Sequence, residues 1–285
     1  MTMTILLNIF SFFISTIPVS FFTPTARTFR VFFYDFLGMR KKMILKNLTI
    51  VFADIKSTRE IEIMGKKCFE NFILTTLEAL RGVRKNFIEH VEFENREVLD
   101  TILKRGLGAF ILTWHGANWE VLAAAVGANI RPSVVPVKKV GSDQVNRFVT
   151  RFREKYRVRS LISLYKGHTT KEIIKTLKAN ELVGFMQDQA RPGEPRMPFF
   201  SMPAKTNTSL AAIWRKHNAP VVPAYVVRTA PNRHRIYFMH ELKLVLTEDA
   251  DYDIRENTLQ FNKVLETGIL LNPEQYFWLH NRWKK

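Results

Sequence analysis

Ala109-Phe-Ile-Leu-Thr-Trp-His115-Gly-Ala-Asn-Trp-Glu120 is an apolar run that ends in a histidine, with a glutamate five residues later. It reads as a buried strand, Ala109–Thr113, delivering His115 to its tip, then a turn at Gly116 and a helix from Asn118 to about Val126. The same alternation continues on the C-terminal side. Strands are predicted at Ser133–Val137, Arg159–Ser163, Leu182–Met186 and Val221–Val227, and helices at Asp143–Tyr156, Thr170–Ala179 and Asn207–Lys216. Strands spaced by helical patterns predict an α/β fold, a mixed and mostly parallel sheet flanked by helices. In such sheets ligands bind beyond the carboxyl ends of the strands. His115 follows one predicted strand and Asp188 another, so parallel pairing brings both to one edge.

Upstream, Thr28–Val51 reads as helical with a break at Gly38, and Ser57–Leu80 as a second helix. Ser57-Thr-Arg-Glu60 has the form of a capping box, and Ile61, Met64, Cys68, Phe72 and Thr75 recur at helical spacing. Leu6–Phe22 is mostly apolar and is followed by Arg27, Arg30, Arg40, Lys41 and Lys42. It lacks the basic lead and small-residue cleavage site of a signal peptide. It is near the ~20-residue minimum for a spanning helix and carries Pro18. Residues 1–25 are therefore expected to form a membrane anchor or interfacial helix, with packing on the domain itself as the alternative, and 26–285 the remaining domain. If the segment spans, the basic residues after it keep the bulk of the chain in the cytoplasm.

The formal net charge of +17 over 285 residues calls for anionic partners. Next to the apolar N-terminus, a membrane and anionic lipid outrank nucleic acid, which is not expected as a partner. Hydrophobic residues at 46% and charged ones at 24% exclude a disordered chain. The single cysteine, Cys68, excludes an intrachain disulfide and a Cys-based zinc site. His168, His217, His234 and His240 show no ligand spacing, so neither metal nor cofactor is proposed.

His115 and Glu120 offer a general base with an orienting carboxylate, equipment for deprotonating a hydroxyl. Five residues span about 140° on an ideal helix, so the pair works only with His115 in the turn before it. The bland alternative is a partly exposed histidine beside a helix N-terminus that favours Glu120. A basic cluster, Arg147, Arg151, Arg153, Lys155, Arg157 and Arg159, suits phosphate or an acidic protein, although most of it is expected to be a solvated helix face.

Thr113-Trp-His115-Gly-Ala-Asn-Trp-Glu120 resembles the H-x-x-x-x-D/E block of glycerolipid acyltransferases, and more narrowly the bacterial lipid A lauroyl/myristoyl acyltransferase family. Asp188-Gln189 is similar to that family's D-Q segment. So are Phe199-Phe200-Ser-Met-Pro203-Ala204-Lys-Thr206 with Ala219-Pro220-Val-Val-Pro223, and Pro273-Glu-Gln-Tyr-Phe-Trp278-Leu-His280-Asn-Arg282-Trp-Lys284. The four blocks stand in the family's order. Ala117, Ser201 and Arg157 stand where it commonly has glycine, and Gln187 where it commonly has proline.

The resemblance implies that His115 activates an acceptor hydroxyl to attack an acyl thioester while Glu120 holds the imidazole. It also implies that Asn118, Asp188 and Gln189 bind substrate or shape the site, while Arg153 and Arg159 are the members of the basic cluster expected to contact acceptor phosphates or an acidic protein. The implied donor is acyl carrier protein or coenzyme A. The implied acceptor is a lipid A precursor or another anionic glycolipid, and the implied location is the bacterial inner membrane with the catalytic domain facing the cytoplasm. Cys68 lies outside every block and reads as a core thiol. The competing expectation is a non-catalytic basic protein that binds membrane or nucleic acid.

Overall fold

The computed structural model describes residues 3–138, 142–162, 167–190 and 192–284. Ser163, the predicted end of one strand, and the first two residues of the predicted anchor lie outside them. The first half of the chain comprises α1 (Met3–Thr16), α2 (Phe22–Phe29), α3 (Lys41–Phe52), α4 (Thr58–Gly82), β1 (Val91–Glu94), α5 (Arg96–Leu103), β2 (Ala109–Thr113), α6 (Trp119–Asn129), β3 (Ser133–Val137) and α7 (Asp143–Glu154). The second half comprises β4 (Val158–Ile162), α8 (His168–Lys178), β5 (Leu182–Met186), β6 (Arg196–Phe199), β7 (Met202–Lys205), α9 (Ser209–His217), β8 (Val221–Ala230), β9 (Arg233–Phe238) and α10 (Ala250–Leu271).

Among the described residues, seven strands form one sheet in the order β1-β9-β8-β2-β5-β3-β4. Every neighbouring pair is parallel except β8 and β9, which are antiparallel. The fold is thus the expected α/β arrangement with a mixed, mostly parallel sheet. Every residue of β2 is buried, as a central parallel strand requires when helices cover both faces. Its alternation sends Phe110 and Leu112 into a core shared with α3, α4, α9 and α10, and Ala109 and Ile111 into one shared with α5 and α6.

The helix start at Ser57 is the predicted capping box: Glu60 N–H donates to Ser57 Oγ at 3.3 Å, and Ser57 N–H to Glu60 Oε2 at 2.8 Å. Such a cap stabilises a helix by about 1 kcal/mol. The helical stretch predicted from Thr28 is interrupted where expected, because Gly38 adopts φ +67° and Arg40 φ 57° before α3 begins. A π-helical segment, Arg30–Phe36, precedes that break.

Among the described residues, no single helix is long and apolar enough to cross a membrane. One helical pair, Ile5–Thr16 with Val19–Phe36, has the length and composition together but is bent by 104°. α1 lies on α4 through polar bonds: Ser11 Oγ donates to Leu80 O at 2.9 Å, and Arg81 Nη1 to Ser15 O and Ile17 O at 3.0 and 3.1 Å. Ile5, Ile9, Phe10, Phe12 and Phe13 therefore remain exposed on its other side.

After α10 the chain returns across the sheet edge where β2 ends. Trp278 is buried, ending in core rather than at a surface. Asn47 Nδ2 donates to Trp278 O at 2.8 Å and to His280 O at 2.7 Å. Arg282 is also buried, with Nη2 donating to Thr206 Oγ1 at 3.0 Å. At the tip of β2, Trp114 lies against α10 at Gly268, where any β-carbon would stand 2.1 Å from the indole. Only glycine permits that approach.

Candidate active site

Register alone brings two functional side chains together. Thr113 of β2 pairs with Met186 of the parallel β5, and the chain runs two residues beyond the end of each strand to reach His115 and Asp188. Asp188 is buried and accepts from His115 twice, from the backbone N–H at 3.0 Å through Oδ2 and from Nδ1 at 2.8 Å through Oδ1. Burial alone would raise the Asp188 pKa. The charge and hydrogen bonds of His115 outweigh it and hold the carboxyl below its usual range. An ionised carboxylate only accepts, so Nδ1 carries a proton, and in the neutral ring Nε2 is the nitrogen left with a lone pair.

The imidazole is partly exposed, with Trp119 packed at 5.0 Å between ring centroids and Phe277 at 6.2 Å. The Gln189 side-chain nitrogen lies 3.3 Å from His115 Nε2 and 3.4 Å from Nδ1. Gln189 is thus brought beside His115. Tyr276, within the C-terminal block, hydrogen bonds to Asp188; burial and that carboxylate raise the phenol well above its usual value. His280, in the same C-terminal block, contacts the same loop, its Nε2 accepting from Ala190 N–H at 3.1 Å. A backbone amide always donates, so this ring is neutral at Nε2. Burial, the first cause, and the positive charges of His115, Arg282 and Lys284 lower its pKa accordingly, against the opposing pull of Asp188.

Glu120 is where the structure corrects the sequence. Both of its oxygens accept from Arg153, at 2.9 Å from Nε and 2.6 Å from Nη2, while the imidazole's carboxylate partner is Asp188. The physical reason is helical geometry: α6 begins at Trp119, so Glu120 turns away from His115 toward α7. Arg153 consequently ties α7 to α6 and also donates to Ser160 Oγ at 3.2 Å. Asn118 likewise differs from its expected role. Its side chain is fully buried and donates to Glu78 Oε2 at 2.9 Å. Arg159 is not brought to the site. It lies on β4, three strands from β2, and its Nη1 donates to Glu172 at 2.7 Å.

The departures from the family pattern have local explanations. Ala117, Arg157 and Ser201 adopt φ of 44°, 61° and 60°, the left-handed region in which glycine is favoured. Gln187 donates from Nε2 to Asn207 O at 2.7 Å, a bond that proline cannot make.

A partly exposed imidazole with one nitrogen fixed on a buried carboxylate has the geometry to take a proton from a hydroxyl or amine. Comparison with known proteins narrows that chemistry. The lipid A biosynthesis palmitoleoyltransferase of Escherichia coli K12 is 24% identical over 260 residues, covering 87% of this chain and 80% of that protein. The lipid A biosynthesis lauroyltransferase of the same organism is 26% identical over 257 residues, with the same coverage of each. A lipid A biosynthesis acyltransferase of Shigella flexneri is 24% identical over 260 residues. The family described as bacterial lipid A biosynthesis acyltransferase matches residues 1–285, and the chain belongs to that family and is an acyltransferase.

Proposed function

We propose that this chain transfers a fatty acyl group from an acyl thioester, with acyl carrier protein as donor, to a hydroxyl of a lipid A precursor or related glycolipid. The observation that carries the reading is the His115 Nδ1 to Asp188 Oδ1 bond of 2.8 Å beneath a partly exposed ring. Nε2 takes the proton of the acceptor hydroxyl as its oxygen attacks the thioester carbonyl carbon. The imidazolium that forms is stabilised by Asp188, as a buried carboxylate does for a charged base. Collapse of the tetrahedral intermediate breaks the carbon–sulfur bond, and the thiolate leaves with the proton held on Nε2. No acyl-enzyme is needed. Cys68 fits this, because it is buried and burial pushes its thiol well above the usual value, which removes the nucleophilic form.

In this reading Gln189 and the aromatic pair Trp119 and Phe277 line the reacting position, while Glu120 and Arg153 fix α7 beside it. A strongly basic chain suits both an acidic carrier protein and an anionic glycolipid. The catalytic domain faces the cytoplasm at the bacterial inner membrane, seated through the exposed phenylalanines of α1 and those of the following helices, Phe29, Phe32 and Phe36. An interfacial seat agrees better with the 104° bend than a straight span does.

The test is lipid mass spectrometry on cells lacking this protein, complemented with wild type or His115→Ala. A glycolipid that gains one acyl chain only with wild type supports the reading, and its fragmentation identifies chain and acceptor. Identical lipids in both complemented strains, differing from the null, overturn the role of His115. No change in any strain overturns the acyltransferase reaction on this lipid class.

A further inference from the structure

Beneath the His115 turn lies a buried ion pair that the chemistry above does not use. Glu78, on α4, is fully buried, and Arg228, on β8, nearly so. Arg228 Nε donates to Glu78 Oε1 at 2.8 Å and Nη2 to Oε2 at 2.8 Å. Asn232 N–H adds a bond to Oε1 at 2.9 Å, and His234 Nε2 lies 3.2 Å from Oε2. Burial opposes ionisation of Glu78, but Arg228 and His234 prevail and hold its carboxyl far below the usual range.

This pair is wired to the turn from several sides. Asn118 Nδ2 donates to Glu78 at 2.9 Å. Thr75 Oγ1 accepts from Arg228 Nη2 at 2.9 Å and donates to Ala117 O at 2.6 Å. Arg228 Nη1 bonds to Asn71, whose Nδ2 donates to Gln275 O at 3.0 Å. The same carbonyl accepts from Ala117 N–H at 2.7 Å. Gln275 and the Arg228 backbone exchange two further bonds, at 2.8 and 3.0 Å. Both backbone polar groups of Ala117 are thus occupied by partners tied to Arg228, and Ala117 is the residue held left-handed at φ 44°. Strain of that kind persists where the surroundings over-determine it, and it concentrates at functional sites.

We propose that Glu78, Arg228, Thr75 and Asn118 form a positioning device that sets the Gly116–Asn118 turn and thereby aims the His115 ring along its bond to Asp188. Asn118 and Thr75 act through the turn, without touching substrate. This rests on His115 being the base.

The test uses the full chain with Thr75→Val, Asn118→Ala, Thr75→Ser and His115→Ala. It is assayed with lauroyl- and palmitoleoyl-acyl carrier protein and a lipid A precursor, alongside proton NMR of the His115 Nδ1–H signal. Positioning predicts that Thr75→Val and Asn118→Ala each lower kcat at least tenfold at unchanged KM and displace the Nδ1–H signal, while Thr75→Ser does neither. Adding Ala117→Gly, which adopts the left-handed turn unaided, is predicted to restore part of kcat to Thr75→Val. Wild-type kcat and an unmoved signal in folded Thr75→Val and Asn118→Ala overturn the proposal, as does a loss confined to KM. If His115→Ala retains activity, the base assignment fails instead, and the NMR signal still decides whether the device orients the ring.

Discussion

Asp188 grips His115 at two points, its backbone N–H and its Nδ1, at 3.0 and 2.8 Å. One carboxylate therefore fixes both where the chain leaves β2 and how the imidazole is turned. The residue that the motif offers for this task, Glu120, instead closes a two-bond pair with Arg153. The separation of these carboxylates has measurable consequences.

The Glu120–Arg153 pair is expected to behave as a structural coupling between α6 and α7. Its side chains are 15% and 17% exposed, and the pairing is bidentate. A double-mutant cycle of Glu120→Gln and Arg153→Met, followed by urea unfolding, should give a coupling energy of about 1–3 kcal/mol.

Acid should weaken the fold through two carboxylates at once. Asp188 and Glu78 both titrate lower in the folded chain than their usual values, because the paired His115, Arg228 and His234 overcome burial. The unfolded chain then binds more protons as pH falls. Their stabilisation is fully present above the ordinary carboxylate range and is lost progressively below about pH 4. Unfolding curves measured down the pH scale should show this loss, with a shallower slope in Asp188→Asn.

Arg157 and Ser201 are exposed residues with φ of 61° and 60°. Replacing either with glycine relieves the left-handed penalty and should stabilise the protein by about 0.5–1 kcal/mol, net of the added freedom of the unfolded chain. Ala117→Gly should gain less, because that methyl is fully buried. Thermal melts of the three variants check the ordering.

Membrane seating should depend on the outer side of α1. Phe12 and Phe13 are 50% and 60% exposed. Burying such a side chain in the interface contributes about 1.5–3 kcal/mol, so serine at either position should weaken binding to anionic vesicles by about ten- to a hundredfold. Vesicle flotation of the two single variants measures it, with circular dichroism to confirm folding.

The parallel sheet is legible because its strands are short apolar runs separated by helical patterns, and that also places His115 and Asp188 on one sheet edge. The partner of each was harder to read. Contact between Glu120 and Arg153 spans 33 residues of sequence and depends on how α7 packs, which no local pattern encodes. Arg228 directly follows the predicted strand Val221–Val227, and nothing in the local pattern marks it as buried. A signal for its cluster did exist: Asn71, Thr75 and Glu78 make a polar stripe at helical spacing on a helix whose neighbouring positions enter the core. The hairpin of β6 and β7 and the long α10 were not recognised as elements, the first because prolines interrupt its strands, the second because its buried face carries Asp253, Asn257, Thr258 and Asn262 among the apolar residues.

The most direct test of the His115–Asp188 assignment is kcat for acyl transfer in Asp188→Asn beside Glu120→Gln, both shown to be folded. Asp188→Asn is expected to lose about 10²–10⁴ in kcat, the range for impairing a general base, while Glu120→Gln loses far less. Full activity in Asp188→Asn, with collapse in Glu120→Gln, would contradict it and return the orienting role to the glutamate.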